Sequence, residues 1–320
     1  MTEPTEVTDG ASIYCGDMRT VLATLPEESV DAVVTDPPYE IGLGKHAWDS
    51  TGVAHDPATW AAVLRVLRPG GHLLIFAGAR TYHRMACAVE DAGLEVRDQL
   101  MWLYGSGMPK GVRLGRAVDE AMGEPRKVVG RRRGFHSRVF GEVKEHDVTA
   151  AISELGRYWD NWAAALRPSH EPILLARRPL REDTIAGNVL SWGTGAMNVG
   201  GCALPGDGSG PPRWPANVLL DDSAEVAGLL GNRVRFFYSA KASKVDIGPD
   251  NPHPTVKPTE LMRYLCRLVT PPGGTVLDPF CGSGSTGRGA VLEGLRFVGV
   301  ELSPQYVSVA CRRIRAVVVG

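Results

Sequence analysis

The sequence predicts an α/β fold: a parallel, doubly wound sheet assembled from both ends of the chain. Three observations carry that prediction. From residue 18 to about 105, short apolar runs rich in Val, Ile and Leu alternate with segments whose apolar residues recur at helical spacing. Strands buried on both faces read in this way, as near-continuous apolar runs rather than alternating ones. The same alternation resumes from about residue 259, and the stretches between are too long and irregular to be idle connections in a compact domain.

Taken in order, MRTVLATL reads as a short helix after Asp17 and VDAVVT as a buried strand. PATWAAVLRVL is an amphipathic helix with LRPGG as its stop, and HLLIFAG is the next strand. Residues 80–92 form a helix and LEVRDQLMWLY a strand. GVRLGRAVDEAMG is helical and is followed by RKVVGRRRGFHSR, which places six Lys or Arg among 13 residues. EPILLAR reads as one more core strand, and residues 180–250 are rich in Gly, Pro, Asn and Asp with little periodicity. Then PTELMRYLCRLV (helix), GGTVLDPF (strand), CGSGSTG (loop), RGAVLEG (helix), RFVGVE (strand) and PQYVSVACRRIRAV (helix) complete the sheet. The expected organisation is a first half of the sheet domain at 1–105, a basic insertion at 106–165, a returning core strand at 166–179, an irregular recognition region at 180–250 and a second half at 251–320.

A chain of 320 residues that is 43% hydrophobic can bury a sizeable core. Its formal net charge of −1 gives no overall attraction to nucleic acid or anionic membrane, so an anionic partner has to be met by a local patch. The cysteines at 15, 87, 202, 266, 281 and 311 form no C-x-x-C pair and no ligand spacing with histidine, which points to a reducing compartment and no metal site. MTEPTEVTDG is not a signal sequence, and no apolar run approaches the roughly 20 residues of a membrane span. These features predict a cytoplasmic protein without a membrane partner.

Two motifs carry chemistry. In VVTDPPYEIG a buried strand ends in Asp36-Pro37-Pro38-Tyr39, and the prolines fix φ and cannot donate to a ladder, so the strand exit is held open in one shape. Near the other end, TVLDPFCGSGSTGRGAVLEGLRFVGVEL is a strand, a glycine loop, a helix and a second strand ending in an acid. Gly282, Gly284 and Gly287 match G-x-G-x-x-G, and Glu301 stands where a carboxylate accepts hydrogen bonds from ribose hydroxyls. This end predicts an adenosine-type ligand, NAD and S-adenosylmethionine both being of that type.

Together, Asp36-Pro37-Pro38-Tyr39 and Asp278-Pro279-Phe280-x-Gly282-x-Gly284 resemble the amino-methyltransferases of DNA. The catalytic motif comes first and the cofactor loop last, as in the family's β group, a permuted Rossmann-like methyltransferase fold. His253-Pro254-Thr255-Val256-Lys257-Pro258 matches a further family motif, and Cys15-Gly16-Asp17 fits the Gly-Asp preceding the catalytic strand. The resemblance implies S-adenosyl-L-methionine as cofactor, held by Asp17, Lys257, Asp278, Phe280, Gly282, Gly284, Ser285, Thr286 and Glu301, with no metal. It implies that Asp36 and the Pro37 carbonyl accept the two N–H bonds of an exocyclic amine, Pro38 stiffens the turn, and Tyr39 stacks on a base rotated out of the duplex. Asp at the first motif position leans towards adenine N6, where Ser would lean towards cytosine N4, which is the alternative target. Carbon-5 methylation is disfavoured, because no Pro-Cys dipeptide is present.

The implied partner is double-stranded DNA. Arg126, Lys127, Arg131, Arg132, Arg133 and Arg138 are the expected backbone contacts, and Asn188, Asn198 and Arg213 are candidates for reading base edges. The stretches SHEPILLARRPL and RFFYSAKASK resemble a subgroup common in phages and prophages, which implies a bacterial or phage-infected cell and a nucleoid-associated protein. A homodimer is compatible with the resemblance, and no restriction partner is legible. Two other classes compete: a nicotinamide-dependent oxidoreductase, which would leave Asp-Pro-Pro-Tyr without a role, and a DNA-binding protein that has lost catalysis.

Overall fold

A computed structural model describes residues 3–42, 47–105, 107, 111–133, 145–205, 211–221, 223–240, 246, 251 and 256–317. The chain forms two units, one of Met1–Tyr104 with His170–Gly320 and one of Gly105–Ser169.

In the first unit ten strands make one sheet. They are β1 (Thr5–Thr8), β2 (Ala11–Cys15), β3 (Val30–Thr35), β4 (Leu67–Phe76) and β5 (Glu95–Leu103), then β8 (His170–Arg177), β9 (Val218–Asp221), β10 (Tyr238–Ala240), β11 (Thr275–Asp278) and β12 (Arg296–Glu301). Their order is β1-β2-β12-β11-β3-β4-β8-β5-β9-β10. Neighbours from β2 to β4 are parallel, so strands from the two ends of the chain lie side by side at the centre: Leu277 of β11 is in register with Val33 of β3. Alternate residues of the central strands β3 and β4 feed two cores. Leu74, Phe76 and Val34 join Leu261, Leu265 and Phe297 on one face, while Leu73, Ile75 and Val33 join Trp60, Val63 and Leu174 on the other. Burial of both faces is why these strands carry unbroken apolar runs.

The sheet departs from the wholly parallel arrangement that the alternation predicts. β8 lies antiparallel between β4 and β5. The cause is connectivity: the chain leaves the sheet after Leu103 and re-enters at His170, which is directly paired with Leu103, so the returning strand can only run backwards. LRPGG is a second departure. The helix Pro57–Val66 does stop there, but β4 already begins at Leu67. Its pairing with β3 then jumps from Leu67 opposite Val30 to His72 opposite Ala32.

Residues 180–250, expected to be an irregular recognition region, contribute strands to the sheet: β9 pairs in parallel with β5, and β10 with β9. The helix Ile185–Trp192 secures the excursion in β4. Asn188 donates from Nδ2 to the carbonyls of Pro69 (2.9 Å) and Thr194 (2.8 Å), and its Oδ1 accepts from the Arg181 N–H (3.0 Å).

The second unit holds the antiparallel pair β6 (Arg126–Arg133) and β7 (Glu145–Ala151), with the helices Leu114–Met122 and Glu154–Trp159. Its interior is tied by a polar knot. Asp119, fully buried, accepts from the Arg126 guanidinium and from the Ser153 hydroxyl, and Arg126 also reaches Asp160 at 3.1 Å. The helices approach so closely that a Cβ on Gly156 would stand 2.0 Å from Asp119 Oδ1.

Candidate active site

Both motifs emerge at the same edge of the sheet, where parallel strands of an α/β fold present their C-terminal ends to ligands. β2, β12, β11 and β3 are consecutive neighbours there, ending beside Asp17, at Glu301, beside the glycine loop and beside Asp36 respectively.

The Asp-Pro-Pro-Tyr turn is held from several directions. Pro37 is buried, and beyond Tyr39 the backbone enters the left-handed region at Glu40, with φ of 55°, which is uncommon without glycine. Asp49 stabilises that bend, its carboxylate accepting the N–H groups of Glu40 (2.9 Å) and Ile41 (3.3 Å). The Thr81 hydroxyl donates to the Tyr39 carbonyl at 2.7 Å.

Around Asp36 the structure assembles three polar side chains, those of neighbouring Tyr39 and of the distant Glu171 and Lys257. The Lys257 ammonium donates to Asp36 Oδ2 at 2.7 Å and to the Tyr39 hydroxyl at 3.1 Å, and lies 3.2 Å from Glu171 Oε2. Tyr39 in turn donates to Glu171 Oε2 at 2.8 Å. The ammonium also sits over the rings of Phe76 (4.7 Å) and Tyr39 (5.3 Å), a favourable placement for a desolvated cation. Burial works against the charged form of Lys257, but Asp36 and Glu171 outweigh it and raise its pKa above the ordinary lysine value. Burial, then Asp36 and Glu171, likewise raise the Tyr39 hydroxyl, keeping it a donor. Asp36 Oδ1 is buried and has no hydrogen-bond partner among the described residues. A carboxylate held by one oxygen with the other left to accept is suited to receive an N–H from a ligand.

Lys257, expected at the cofactor, thus belongs to the Asp-Pro-Pro-Tyr side of the site. The preceding His253, Pro254 and Thr255 lie outside the described residues.

At the glycine loop, Gly282 and Gly284 take positive φ (52° and 81°), a conformation open to glycine at no steric cost. A Cβ on Gly284 would stand 2.9 Å from that of Ala310, and one on Gly287 would be 2.4 Å from Ile314, so these two glycines also let the helix Ser285–Leu292 dock on the helix Pro304–Arg315. Glu301 is half-buried, and its two oxygens accept the N–H groups of Gly282 (2.8 Å) and Ser303 (2.8 Å). Burial raises its pKa, with the amides of Ser303 and Gly282 opposing the shift. Each oxygen keeps a lone pair, so a pinned carboxylate beside the loop fits a ribose diol. Asp17 is exposed and its Oδ1 caps the helix Met18–Thr24. Phe280 is half-buried against Trp60, ring centroids 6.5 Å apart, and Ser285 opens the helix that follows the loop.

Four expected contacts are corrected by their surroundings. Asp278 is almost fully buried and accepts from Thr35 Oγ1 (2.7 Å), the Phe280 N–H (3.1 Å) and Thr286 Oγ1 (2.6 Å), so it and Thr286 brace the loop from beneath instead of touching a cofactor. Asn188 is completely buried in the bonds described above and cannot read a base edge. Arg126 is committed to Asp119 and Asp160 and is not a phosphate contact. Of the remaining basic residues, Lys127, Arg131 and Arg132 are exposed, Arg133 ends β6, and Arg138 lies outside the described residues. Asn198 is exposed, its Oδ1 accepting the Gly201 N–H at 2.9 Å, and Arg213 is half-buried with its guanidinium over Phe236.

Glu171, Thr81, Asp49 and Phe76 are the site residues that sequence reasoning did not pick out. For Glu171 a signal was present, an acid opening the apolar run EPILLAR.

Asp278 gives a pH signature. Burial raises its pKa to about 6, against the bonds from Thr286 and Thr35. Because the folded value lies above the unfolded one, the native state binds the extra proton between about pH 4 and 6, and stability falls as pH rises through that window. Relative to Asp278→Asn, the wild type should lose roughly 2–3 kcal/mol between those limits, read from chemical denaturation at several pH values. A pH-independent difference between the two proteins would contradict this account.

The fold and the two adjoining motifs define a Rossmann-like S-adenosylmethionine-dependent methyltransferase architecture. A family described as DNA methylase (N6_N4_Mtase) matches residues 30–312, and the chain belongs to that family. It is 27% identical over 252 residues to the type II methyltransferase M.HindIII of Haemophilus influenzae, the match covering 78% of this chain and 65% of that protein. With M.XycI of Xanthomonas campestris pv. cyanopsidis it shares 23% identity over 351 residues, covering 96% and 88%. Among solved structures it superposes on a PvuII DNA methyltransferase, described as cytosine-N4-specific, with a TM-score of 0.55 and 17% identity over 99% of this chain and 94% of that one. TTHA0409 of Thermus thermophilus, crystallised with S-adenosyl-L-methionine, gives 0.52 and 22% over 96% and 94%. At such identities these structures establish the fold alone.

Proposed function

We propose that this chain transfers the methyl group of S-adenosyl-L-methionine to the exocyclic amine of a flipped base in double-stranded DNA, with adenine N6 as the target. The observation that carries this reading is Asp36: one oxygen anchored by Lys257, the other buried and without a partner among the described residues, at the strand end adjoining the glycine loop. The motif order supports placement in the β group.

The cofactor supplies an electrophilic methyl on a sulfonium. Glu301 and the backbone of the glycine loop would hold its adenosine end. An amine conjugated to a base ring is a weak nucleophile, because its lone pair is delocalised. Accepting its N–H bonds at Asp36 Oδ1 and the Pro37 carbonyl turns the lone pair out of the ring and towards the methyl. With the cofactor bound, that pair would form the new N–C bond as the C–S pair stayed on sulfur, and Asp36 or water would take the amine proton, by then strongly acidic. Positioning of this kind is worth roughly 7–11 kcal/mol of barrier in favourable cases. Lys127, Arg131 and Arg132 supply phosphate contacts.

Incubation of the protein and labelled S-adenosylmethionine with unmethylated genomic DNA, followed by nucleoside mass spectrometry, tests the proposal. N6-methyladenine, released as its 2′-deoxynucleoside, is the expected product. N4-methylcytosine would retain the mechanism and overturn the choice of base, and no methylated base would overturn the function. Glu301→Ala should raise the dissociation constant for the cofactor by about tenfold or more, given a charge-assisted bond to each ribose hydroxyl; titration calorimetry showing no change would remove the ribose assignment.

A further inference from the structure

We infer that Glu171 is a positioning residue of this site, whose charge balances Lys257 so that the lysine can orient Asp36 without cancelling the negative charge the amine requires. The inference rests on the reading of Asp36 as the amine acceptor.

Counting charges shows why a second carboxylate matters. Lys257 is 8% exposed at its side chain, Asp36 20% and Glu171 22%. Without Glu171, the ammonium 2.7 Å from Asp36 would bring the pair to zero. With Glu171 at 3.2 Å the three groups sum to −1. That sign matches the reaction, because positive charge passes from sulfur to the amine nitrogen as the N–C bond forms, and a poorly solvated negative site stabilises it there. Tyr39 ties the set together: its hydroxyl takes a bond from Lys257 and gives one to Glu171, fixing the ring of the proposed base-stacking residue by the same contacts that fix Asp36.

Glu171 reaches this place through the reversed strand. In register it pairs with Trp102 of β5, and the Ala77 N–H after β4 donates to the carbonyl of Pro172, the next residue. Because β8 runs against β4, its first residues stand at the ends of β4 and β5 from which the Asp-Pro-Pro-Tyr site is built. A parallel strand would bring its last residues there.

The test compares wild type, Glu171→Gln, Lys257→Met and the double variant in single-turnover methyl transfer to DNA, with the S-adenosylmethionine dissociation constant measured for each. Glu171→Gln should slow transfer on the order of 10²-fold, the effect of removing one preorganised electrostatic contact, and leave the dissociation constant unchanged. Lys257→Met leaves two carboxylates unbalanced and should be slower still. The double variant restores a net charge of −1 and should transfer faster than either single variant, a rescue that a merely structural role for Glu171 would not give. Should Lys257→Met fail to fold, Lys257→Gln takes its place in the cycle. A wild-type rate in Glu171→Gln, or a double variant slower than both singles, would overturn the inference. If the wild type binds the cofactor and methylates no DNA, the functional reading itself fails and the inference falls with it.

Discussion

Replacing Asp36 by alanine should lower single-turnover methyl transfer by about 10³-fold or more, with cofactor binding retained. Removal of a single preorganised electrostatic partner costs about 10²–10³ in rate, and in the mechanism proposed above the lost group also sets the geometry of the nucleophile. Two further consequences of the substitution add to this. Lys257 loses the partner 2.7 Å away and keeps Glu171, so the local charge rises from −1 to zero. The Tyr39 hydroxyl remains bonded to Glu171, so the turn itself has reason to persist. Cofactor binding should be spared, because the groups proposed to hold it, Glu301 at the end of β12 and the glycine loop after β11, are joined by bonds that do not pass through Asp36. Rapid-quench measurement with labelled S-adenosylmethionine, alongside calorimetric titration of the same cofactor, separates the two effects. Substantial activity in the variant would remove Asp36 from the mechanism, and loss of cofactor binding would move it to the other half of the site.

The second large effect is expected in the unit Gly105–Ser169. Arg126→Ala should destabilise that unit by about 3–5 kcal/mol, the usual cost of leaving one member of a buried ion pair alone. The Asp119 side chain is 0% exposed and Arg126 10%, so the substitution leaves a buried carboxylate without its counter-ion. Arg131 is the control: 75% exposed and paired with Asp147 at 3.3 Å, it should change stability by no more than about 1 kcal/mol when replaced by alanine. Hydrogen exchange distinguishes them, with protection lost across Gly105–Ser169 in Arg126→Ala and kept in Arg131→Ala. If instead Arg126→Ala retains protection and weakens DNA binding as much as Arg131→Ala does, the polar knot is not what holds this unit.

The two residues also show where sequence reasoning stops. Both lie in RKVVGRRRGFHSR, and nothing in that run distinguishes the arginine that faces Asp119 from those that face solvent. The partner is seven residues upstream on a helix, and the pairing exists only after folding. Asn188 is a similar case: an amide in a Gly-rich frame suits a base edge and suits equally the carbonyls of Pro69 and Thr194 that it serves. The central strands were legible because burial on both faces leaves an unbroken apolar run, and the two motifs because proline and glycine constrain the backbone wherever they stand. β9 and β10, VLLD and YSA, are too short to show a period. The direction of β8 was not legible at all, since EPILLAR reads the same whichever way it runs. With that direction hidden, the acid that opens EPILLAR could not be assigned to either end of the sheet.

The pairing of Leu103 with His170 reaches beyond the reversed strand. Residues directly opposite in an antiparallel ladder have Cα atoms about 4.5–5.5 Å apart, so the chain crosses almost no gap between leaving the sheet and returning to it. Whatever occupies the interval is attached by two closely spaced stems and imposes no length of its own on the sheet. A hairpin turn of a few residues could close the ladder, and a segment of quite different size could equally be carried there, because loop-closure entropy grows only slowly with length. The sheet that carries Asp36 and Glu301 is therefore built to tolerate a change of length at this junction, because only two adjacent strand ends have to be met there.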